Sequence, residues 1–155
     1  MIVGIGMDVV EIWRIRDLAQ RHAAFLTRTF APGELRHCQE KANPFPHLAA
    51  RFAAKEAVFK ALGTGWSVGL KWTDVAVVND AAGKPAIHLS GAARRLAERL
   101  GAHKIHLSLT HTGPYAGAQV VLEQLSLHQA QSQEAQTVST RHAHCLPQRQ
   151  TGLGR

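Results

Sequence analysis

The spacing of apolar residues predicts a strand, several helices, two strands, a further helix and two final strands. Residues 2–10 are mostly small or β-branched, which is typical of a buried strand, and Asp8 lies near the end of this run. The apolar residues that follow fall on a helical stripe, which predicts one helix over residues 12–29. A short helix is expected from Pro32, because proline suits the first helical turn and Glu34 complements its positive end.

The alanine-rich stretch beyond Pro46 predicts a long helix over residues 47–62, since it contains neither glycine nor proline. Ser90 is expected to cap a later helix that ends at Leu100. Four strands are predicted after the long helix, at residues 72–78, 85–89, 104–110 and 115–122. This order of elements indicates an α+β fold with an antiparallel sheet and a long central helix.

The composition changes at about residue 125. Beyond it the chain consists largely of Gln, Ser, His, Thr and Arg with few large apolar residues, which predicts a disordered tail over residues 125–155. We therefore expect one folded domain over residues 1–124, which is an ordinary size for a single hydrophobic core.

Charge and cysteine content narrow the possible partners. The chain carries a formal charge of +7, and residues 1–124 contain 15 Lys and Arg against 10 Asp and Glu. A basic folded part favours an anionic partner, whether nucleic acid, a phosphorylated cofactor or an acidic protein. Cys38 and Cys145 have neither disulfide nor metal spacing, which fits a reducing compartment. Without a signal peptide or an apolar run of about 20 residues, we expect a cytoplasmic protein with no membrane association.

The most informative motif spans residues 51–65, Arg-Phe-Ala-Ala-Lys-Glu-Ala-Val-Phe-Lys-Ala-Leu-Gly-Thr-Gly. On a helix, Phe52, Glu56 and Lys60 share one face. An exposed Glu–Lys ion pair at this spacing is the simplest interpretation, and it would contribute little stability. Three features favour a binding function instead: the surrounding alanines, the Gly-Thr-Gly turn where backbone can approach a ligand, and the basic residues Arg51, Lys55 and Lys60, which suit phosphates.

Asp8 is the second candidate. By itself it could be a partly exposed aspartate at a strand end. Paired with Glu56, it would form a magnesium site, because Mg²⁺ prefers one or two protein carboxylates and takes its remaining ligands from water and substrate phosphates. The spacing in the sequence does not show whether these two carboxylates meet.

His111 is the third candidate. Alternation places His106, Ser108 and Thr110 on one face of a strand. His111 follows at the start of a turn predicted over residues 111–114, where it could bind a phosphate. A histidine is more often a surface residue or a hydrogen-bonded core residue, and only this setting distinguishes His111 from the other nine.

An arginine row is the fourth candidate. Arg14, Arg21 and Arg28 recur every seven residues, so on one helix they lie near the same side, with Phe25 beside them. Such a row is ordinarily a solvated face. It could also receive an acidic helix of a partner protein.

Together these residues resemble the holo-[acyl-carrier-protein] synthase family, the short trimeric branch of the 4′-phosphopantetheinyl transferases. The resemblance spans essentially residues 1–124. It is carried by Gly4-Ile5-Gly6-Met7-Asp8, residues 30–34, residues 51–57 with 60–65, residues 108–112, and Tyr115-Ala116.

The resemblance implies an α+β fold that forms a homotrimer, with each active site at a subunit interface. It implies that Asp8 and Glu56 bind Mg²⁺, which holds the pyrophosphate of coenzyme A. The residues implied to contact the phosphates or the nucleotide of the coenzyme are Lys60, Gly63, Thr64, Gly65 and His111. Those implied to receive an acidic helix of acyl carrier protein are Arg14, Arg21, Phe25 and Arg28.

The implied reaction transfers 4′-phosphopantetheine to a serine of apo acyl carrier protein, releases adenosine 3′,5′-bisphosphate and supports fatty acid biosynthesis. Asp8, Glu56 and Lys60 are the expected catalytic residues, since charge on the phosphate oxygens needs a metal and a cation. The general base is either Glu56 or a water held by Glu56 and the metal. We favour the water, because a carboxylate bound to a cation is less basic.

Two other functions are compatible with a basic domain. A nucleotide- or RNA-binding module without catalysis is disfavoured, because aromatic residues make up only 6% of the chain and no strand interleaves them with basic residues. Another magnesium-dependent phosphotransferase is possible, but the chain has no P-loop motif.

Overall fold

Five strands form two antiparallel sheets in the computed structural model, which describes residues 1–64 and 69–125. The larger sheet has three strands in the order β1-β5-β4, where β1 is Ile2–Glu11, β4 is Lys104–Thr112 and β5 is Tyr115–Glu123. The smaller sheet is a hairpin of β2 (Val75–Asn79) and β3 (Pro85–Leu89). The α+β fold class is confirmed, with two sheets in place of one.

Strand β1 is half-buried, whereas the sequence pattern suggested a buried strand. Its pairing with β5 places Gly6 and Val10 on the face that contacts the core. Ile5, Met7 and Val9 lie on the opposite face and are 59%, 63% and 59% exposed. The alternation of a strand explains this division, because a run of apolar residues supplies both faces of the sheet.

The predicted helix over residues 12–29 is two helices, α1 (Ile12–Arg21) and α2 (Phe25–Thr29). His22 adopts an extended conformation and donates its backbone N–H to the Leu18 carbonyl oxygen, which ends α1. Helix α3 (Pro32–Gln39) follows and starts at Pro32, as predicted.

Helix α4 (Pro44–Ala61) crosses the core face of the larger sheet against β1 and β5. It begins three residues before the predicted start, because proline is tolerated in the first turn and the Asn43 side chain accepts the Phe45 N–H at 3.2 Å. Six of its eleven buried residues are alanines, and such small side chains let the helix approach the sheet closely. The central helix is confirmed.

The segment predicted as one strand over residues 72–78 begins with a 3₁₀ turn, Trp72–Asp74, before β2. Helix α5 (Gly91–Arg99) follows β3. Ser90 occupies its N-cap position without a side-chain cap bond. The Asp74 carboxylate instead accepts the Ala92 N–H at 3.2 Å, so a residue distant in sequence supplies the cap.

The hairpin between β4 and β5 is tighter than the sequence suggested. The predicted turn covered residues 111–114, but His111 and Thr112 are paired strand residues and Gly113-Pro114 alone make the connection. The structure describes the folded part as one compact unit, Met1–Gln124. All of the predicted disordered tail, residues 125–155, except Leu125 lies outside the described residues, and the division of the chain at residue 124 stays a prediction.

Candidate functional site

Two glycines bring β1 against α4. A Cβ atom on Gly6 would lie 1.9 Å from the Ala57 carbonyl oxygen, and one on Gly4 would lie 2.2 Å from that of Ala61. No side chain fits at these distances, so glycine is required for the close crossing. The next inward-facing residue of β1 is Asp8, which this crossing carries to the side of the helix.

Asp8 and Lys60 form an ion pair across this crossing. The Lys60 ammonium donates to Asp8 Oδ1 at 2.8 Å and to the Met7 carbonyl oxygen at 3.1 Å. Lys60 keeps about half of its side-chain exposure, whereas the Asp8 side chain is mostly covered. Lys60 can therefore reach a ligand in front of Asp8 without leaving the site.

Glu56 lies one turn before Lys60 and faces the same place. Burial raises the pKa of the Glu56 carboxyl above its ordinary value, the negative charge of Asp8 raises it further, and Lys60 lowers it. Asp8 and Glu56 line one cavity of about 300 Å³, together with Arg14 and Phe52. Two acidic side chains far apart in sequence are thus neighbours in space.

This pair of carboxylates fits a magnesium ion. The like charges of Asp8 and Glu56 repel each other, and a divalent cation between them would remove that repulsion. No group of three or more His, Cys, Asp or Glu that could hold a metal ion exists in the part of the chain that the structure describes. A cation bound here would therefore take most of its ligands from water and substrate oxygens, as Mg²⁺ usually does.

The arginine row lies on two helices. Arg14 on α1 lines the cavity of Asp8 and Glu56. Arg21, Phe25 and Arg28 line a neighbouring cavity of about 730 Å³. Phe52 borders both cavities, so the row runs directly into the acidic site.

Lys55 is not part of a phosphate-binding face, and that interpretation was wrong. Its side chain is 0% exposed, and its ammonium donates to Glu34 Oε2 at 2.8 Å and to the carbonyl oxygens of Trp72 and Val75. Burial lowers the pKa of Lys55, and the contact with Glu34 partly offsets this effect. The sequence reasoning missed Glu34 as a buried partner, because nothing in a helical pattern shows which residue pairs with a buried lysine.

Arg51 is also buried, and it lies one turn after His47 on α4. Its guanidinium donates to Asn79 Oδ1 at 2.8 Å and to the His47 carbonyl oxygen at 3.4 Å. The His47 and His111 rings are in edge-to-face contact, with centroids 5.6 Å apart. The sequence reasoning missed His47, although its position four residues before Arg51 places it on the same helical face.

The structure does not bring His111 to the acidic pair within one chain. His47 contacts His111, and Lys60 contacts Asp8. His111 pairs with Ala116, which pairs with Val10, so His111 lies two strands across and two residues along from Asp8, about 12 Å between Cα atoms. The His47–His111 contact and the Lys60–Asp8 contact therefore form two separate clusters beside α4 in a single chain.

The glycine turn after α4 is only partly described. Gly63 has a φ of +77°, a conformation that glycine adopts readily, and it is exposed beside Thr64. Gly65 lies outside the described residues. The predicted phosphate contacts of this turn stay predictions.

Within residues 1–64 and 69–125, nothing covers one apolar face of the larger sheet. We call it the outer face and define it by Ile5, Met7 and Val9 of β1 with Ser108 and Thr110 of β4, which lie across β5 on the same face. A shallow depression on that face is lined by Met7, Val9, Ser108 and Thr110. Three large apolar side chains exposed side by side on one strand are typical of an interaction surface.

Comparison with known proteins identifies close relatives. A family model described as the 4′-phosphopantetheinyl transferase superfamily matches residues 4–121. Holo-[acyl-carrier-protein] synthase from Trichlorobacter lovleyi is 52% identical over 124 residues, which cover 79% of this chain and 98% of the relative. The enzyme of the same name from Solibacter usitatus is 48% identical over 124 residues, which cover 79% of this chain and 99% of the relative.

Solved structures agree with these relatives. Holo-[acyl-carrier-protein] synthase from Neisseria meningitidis superposes with a TM-score of 0.72 at 36% identity, covering 80% of this chain and 100% of that one. A holo-(acyl-carrier-protein) synthase from Bacillus anthracis, in complex with CoA (3′,5′-ADP), superposes with a TM-score of 0.67 at 36% identity, covering 81% and 99%. No helix in the described part of this chain has the length and apolar character needed to span a membrane.

Proposed function

This chain belongs to the 4′-phosphopantetheinyl transferase superfamily, and we propose that Asp8 and Glu56 hold the Mg²⁺ on which its reaction depends. The activity is that of a holo-[acyl-carrier-protein] synthase: it transfers 4′-phosphopantetheine from coenzyme A to a serine of apo acyl carrier protein and releases adenosine 3′,5′-bisphosphate. The convergence of Asp8, Glu56 and Lys60 at one cavity is the observation that carries the metal assignment.

The reaction breaks one bond of the pyrophosphate. The serine oxygen attacks the β-phosphorus of coenzyme A, and the bond from that phosphorus to the bridging oxygen breaks as the bisphosphate leaves. Asp8 and Glu56 would hold the Mg²⁺, whose charge would neutralise the phosphate oxygens. Lys60 lies beside Asp8 and adds a positive charge at the same place.

Glu56 is the residue that directs the serine proton. The raised pKa of Glu56 makes this carboxylate a better proton acceptor than an ordinary glutamate. A cation held by Glu56 would reduce that basicity, so Glu56 would act through a water that it orients toward the serine. The serine proton would pass through this water to the Glu56 carboxylate, while the departing bisphosphate takes the bonding electron pair.

The carrier protein docks on the arginine row. Arg21, Phe25 and Arg28 surround an open cavity next to the acidic site, which suits an acidic helix with an apolar side chain at its centre. Arg21 forms an exposed pair with Asp17 at 2.7 Å. Exchanging that partner for an acidic residue of the carrier costs little, because exposed pairs contribute under about 1 kcal/mol.

The active form is a homotrimer with composite sites. The exposed outer face supports assembly, and within one chain His111 contacts His47 and not Asp8. In the trimer, Asp8 and Glu56 of one copy face His111 of the next copy. A cyclic arrangement of three copies pairs all such ends. We place this enzyme in the cytoplasm, where it would support fatty acid biosynthesis.

Incubation with coenzyme A, Mg²⁺ and apo acyl carrier protein tests the function, with the carrier's mass as the readout. Wild-type protein should add one phosphopantetheine to each carrier, and Asp8→Asn and Glu56→Gln should add almost none. Full transfer by either variant would refute the metal assignment. The similar proteins do not support a non-catalytic RNA-binding module, and an unchanged carrier mass with retained RNA binding would restore that alternative.

Complementation tests the composite site. Asp8→Asn lacks a carboxylate of the acidic site, and His111→Ala lacks the histidine that a neighbouring copy would supply. Each variant alone should therefore be nearly inactive. Coexpression in equal amounts should restore about a quarter of wild-type activity, since random mixing gives one site in four with both ends intact. Recovery no greater than the residual activity of the two variants would show that each site lies within one chain.

A further inference from the structure

Several basic side chains gather at the N-terminal end of α4. His47 and Arg51 lie on successive turns of the helix, and His111 of β4 contacts the His47 ring at 5.6 Å with the two planes 72° apart. Arg51 is only 3% exposed. Its Nε atom is buried without a hydrogen-bond partner among residues 1–64 and 69–125.

The charges around His47 are all of one sign. Burial lowers the pKa of His47, and the positive charges of His111, Arg51, Lys41 and His37 lower it further. The pKa of His37 is likewise lowered by burial, Arg51 and Lys41, and Glu40 alone opposes this change. The cluster therefore lacks a counter-charge at His47, and binding an anion there would relieve the repulsion.

Side chains, not backbone, must hold such an anion. The first turn of α4 contains Pro44 and Pro46, which have no N–H group. The Phe45 N–H is already bound to the Asn43 side chain. The helix terminus adds a positive potential, but the imidazole of His47 is the donor that can gain a proton when the anion arrives.

Coenzyme A carries a phosphate suited to this place. Its pyrophosphate belongs at the Asp8 end, according to the proposed function on which this inference rests. Its remaining anionic group is the 3′-phosphate, a phosphomonoester whose second ionisation lies near pH 6. We propose that His47 takes up a proton when the 3′-phosphate binds, and thereby makes the preference for coenzyme A over dephospho-coenzyme A depend on pH.

The direction of this dependence follows from the charges that face His47. These are Arg51 on the same helix, His37 and Lys41 from the segment of α3 and the loop after it, and His111 from β4. All four oppose protonation of His47 in the free protein, and a bound dianion favours it. The contribution of His47 to phosphate affinity is therefore full at pH values below the pKa of His47 in the free protein. It is lost as the pH rises past the pKa of His47 in the phosphate complex.

The test compares His47→Phe with wild type between pH 5.5 and 8.5 in the transfer assay. Phenylalanine keeps a ring against His111 but cannot take up a proton. His88→Phe is the matched control, because His88 is exposed on β3 and belongs to neither end of α4. The measured quantity is kcat/KM for coenzyme A divided by kcat/KM for dephospho-coenzyme A.

At pH 6 this ratio should fall by about tenfold in His47→Phe, which is the loss expected for a hydrogen bond to a charged group. At pH 8.5 it should equal the wild-type ratio, and His88→Phe should match wild type throughout. An equal ratio in His47→Phe at every pH, or a loss of the same size with dephospho-coenzyme A, would overturn the proposal.

Calorimetry gives a second test that does not depend on how a variant folds. Adenosine 3′,5′-bisphosphate is titrated into wild-type protein at pH 7 in buffers with different ionisation enthalpies, and adenosine 5′-monophosphate serves as the ligand without the 3′-phosphate. Net proton uptake is expected with the first ligand and not with the second. Equal uptake with both, or none with either, overturns the inference. Absence of transfer by wild-type protein would instead refute the proposed function.

Discussion

Replacing Lys55 by methionine removes the cation from a buried pair. Lys55 donates to Glu34 Oε2 and to two backbone carbonyl oxygens, those of Trp72 and Val75. Methionine fills a similar volume but donates to none of them. The substitution leaves Glu34 charged in the interior, with α3, α4 and β2 losing the group that they share.

The cost can be worked out from what remains. Breaking a buried pair by removing one partner costs about 3–5 kcal/mol, because the other charge stays uncompensated. Glu34 keeps two backbone donors, the N–H groups of Ala31 at 2.8 Å and Val77 at 3.0 Å. We therefore expect a loss near the lower limit, about 3 kcal/mol.

Urea unfolding at a fixed protein concentration, followed by tryptophan fluorescence, measures this loss. The double variant Glu34→Gln with Lys55→Met should recover part of it, since no buried charge remains. The KM for coenzyme A should change less than twofold in folded Lys55→Met protein. An unchanged free energy of unfolding combined with a tenfold higher KM would refute the structural role and return Lys55 to the phosphate site.

Three further changes test the site. Gly6→Ala should cost about 1–3 kcal/mol of stability and lower kcat, because its Cβ would lie 1.9 Å from the Ala57 carbonyl oxygen. Urea unfolding measures the loss, and Gly33→Ala is the control, since a Cβ there meets nothing within 4 Å. An equal free energy of unfolding for the two variants would contradict the packing argument. Burial and a neighbouring carboxylate raise the pKa of Glu56. The metal-free protein should therefore gain stability as the pH falls through the pKa of Glu56 in the folded state, while Mg²⁺ binding weakens. Thermal shifts should show both trends, and Glu56→Gln should show neither. Arg28→Glu should raise the KM for the carrier protein roughly tenfold with the KM for coenzyme A unchanged; a change in the second constant alone would place Arg28 elsewhere.

The sequence predicted the elements that depend on local pattern. The strand alternation of β4, the apolar stripe of α1 and the alanine-rich helix α4 follow from neighbouring residues, and all three are present in the structure. Phe52, Glu56 and Lys60 share one helical face for the same reason, and all three lie at the acidic site.

Features that depend on distant residues could not be predicted from the sequence. Lys55 and Lys60 lie on the same predicted helix, yet the first is buried against Glu34 and the second is about half exposed beside Asp8. The difference arises from which side of α4 faces α3 and β2. Likewise, the cap that Ser90 was expected to supply comes from Asp74, sixteen residues earlier, because folding brings that carboxylate to the end of α5.

Helix α4 connects the proposed metal site to the proposed assembly. Its alanine surface and the two glycines of β1 fix the crossing that brings Asp8 to Glu56. Toward its N-terminus the helix holds Arg51 and His47, and His47 contacts His111; His47 is about 14 Å from Glu56 by the rise of the helix. A rigid helix cannot bring these groups into contact, and the proposed trimer would supply them to one coenzyme from different copies. Loss of the proposed trimer should therefore weaken phosphate binding even where the Asp8–Glu56 geometry within each chain is intact.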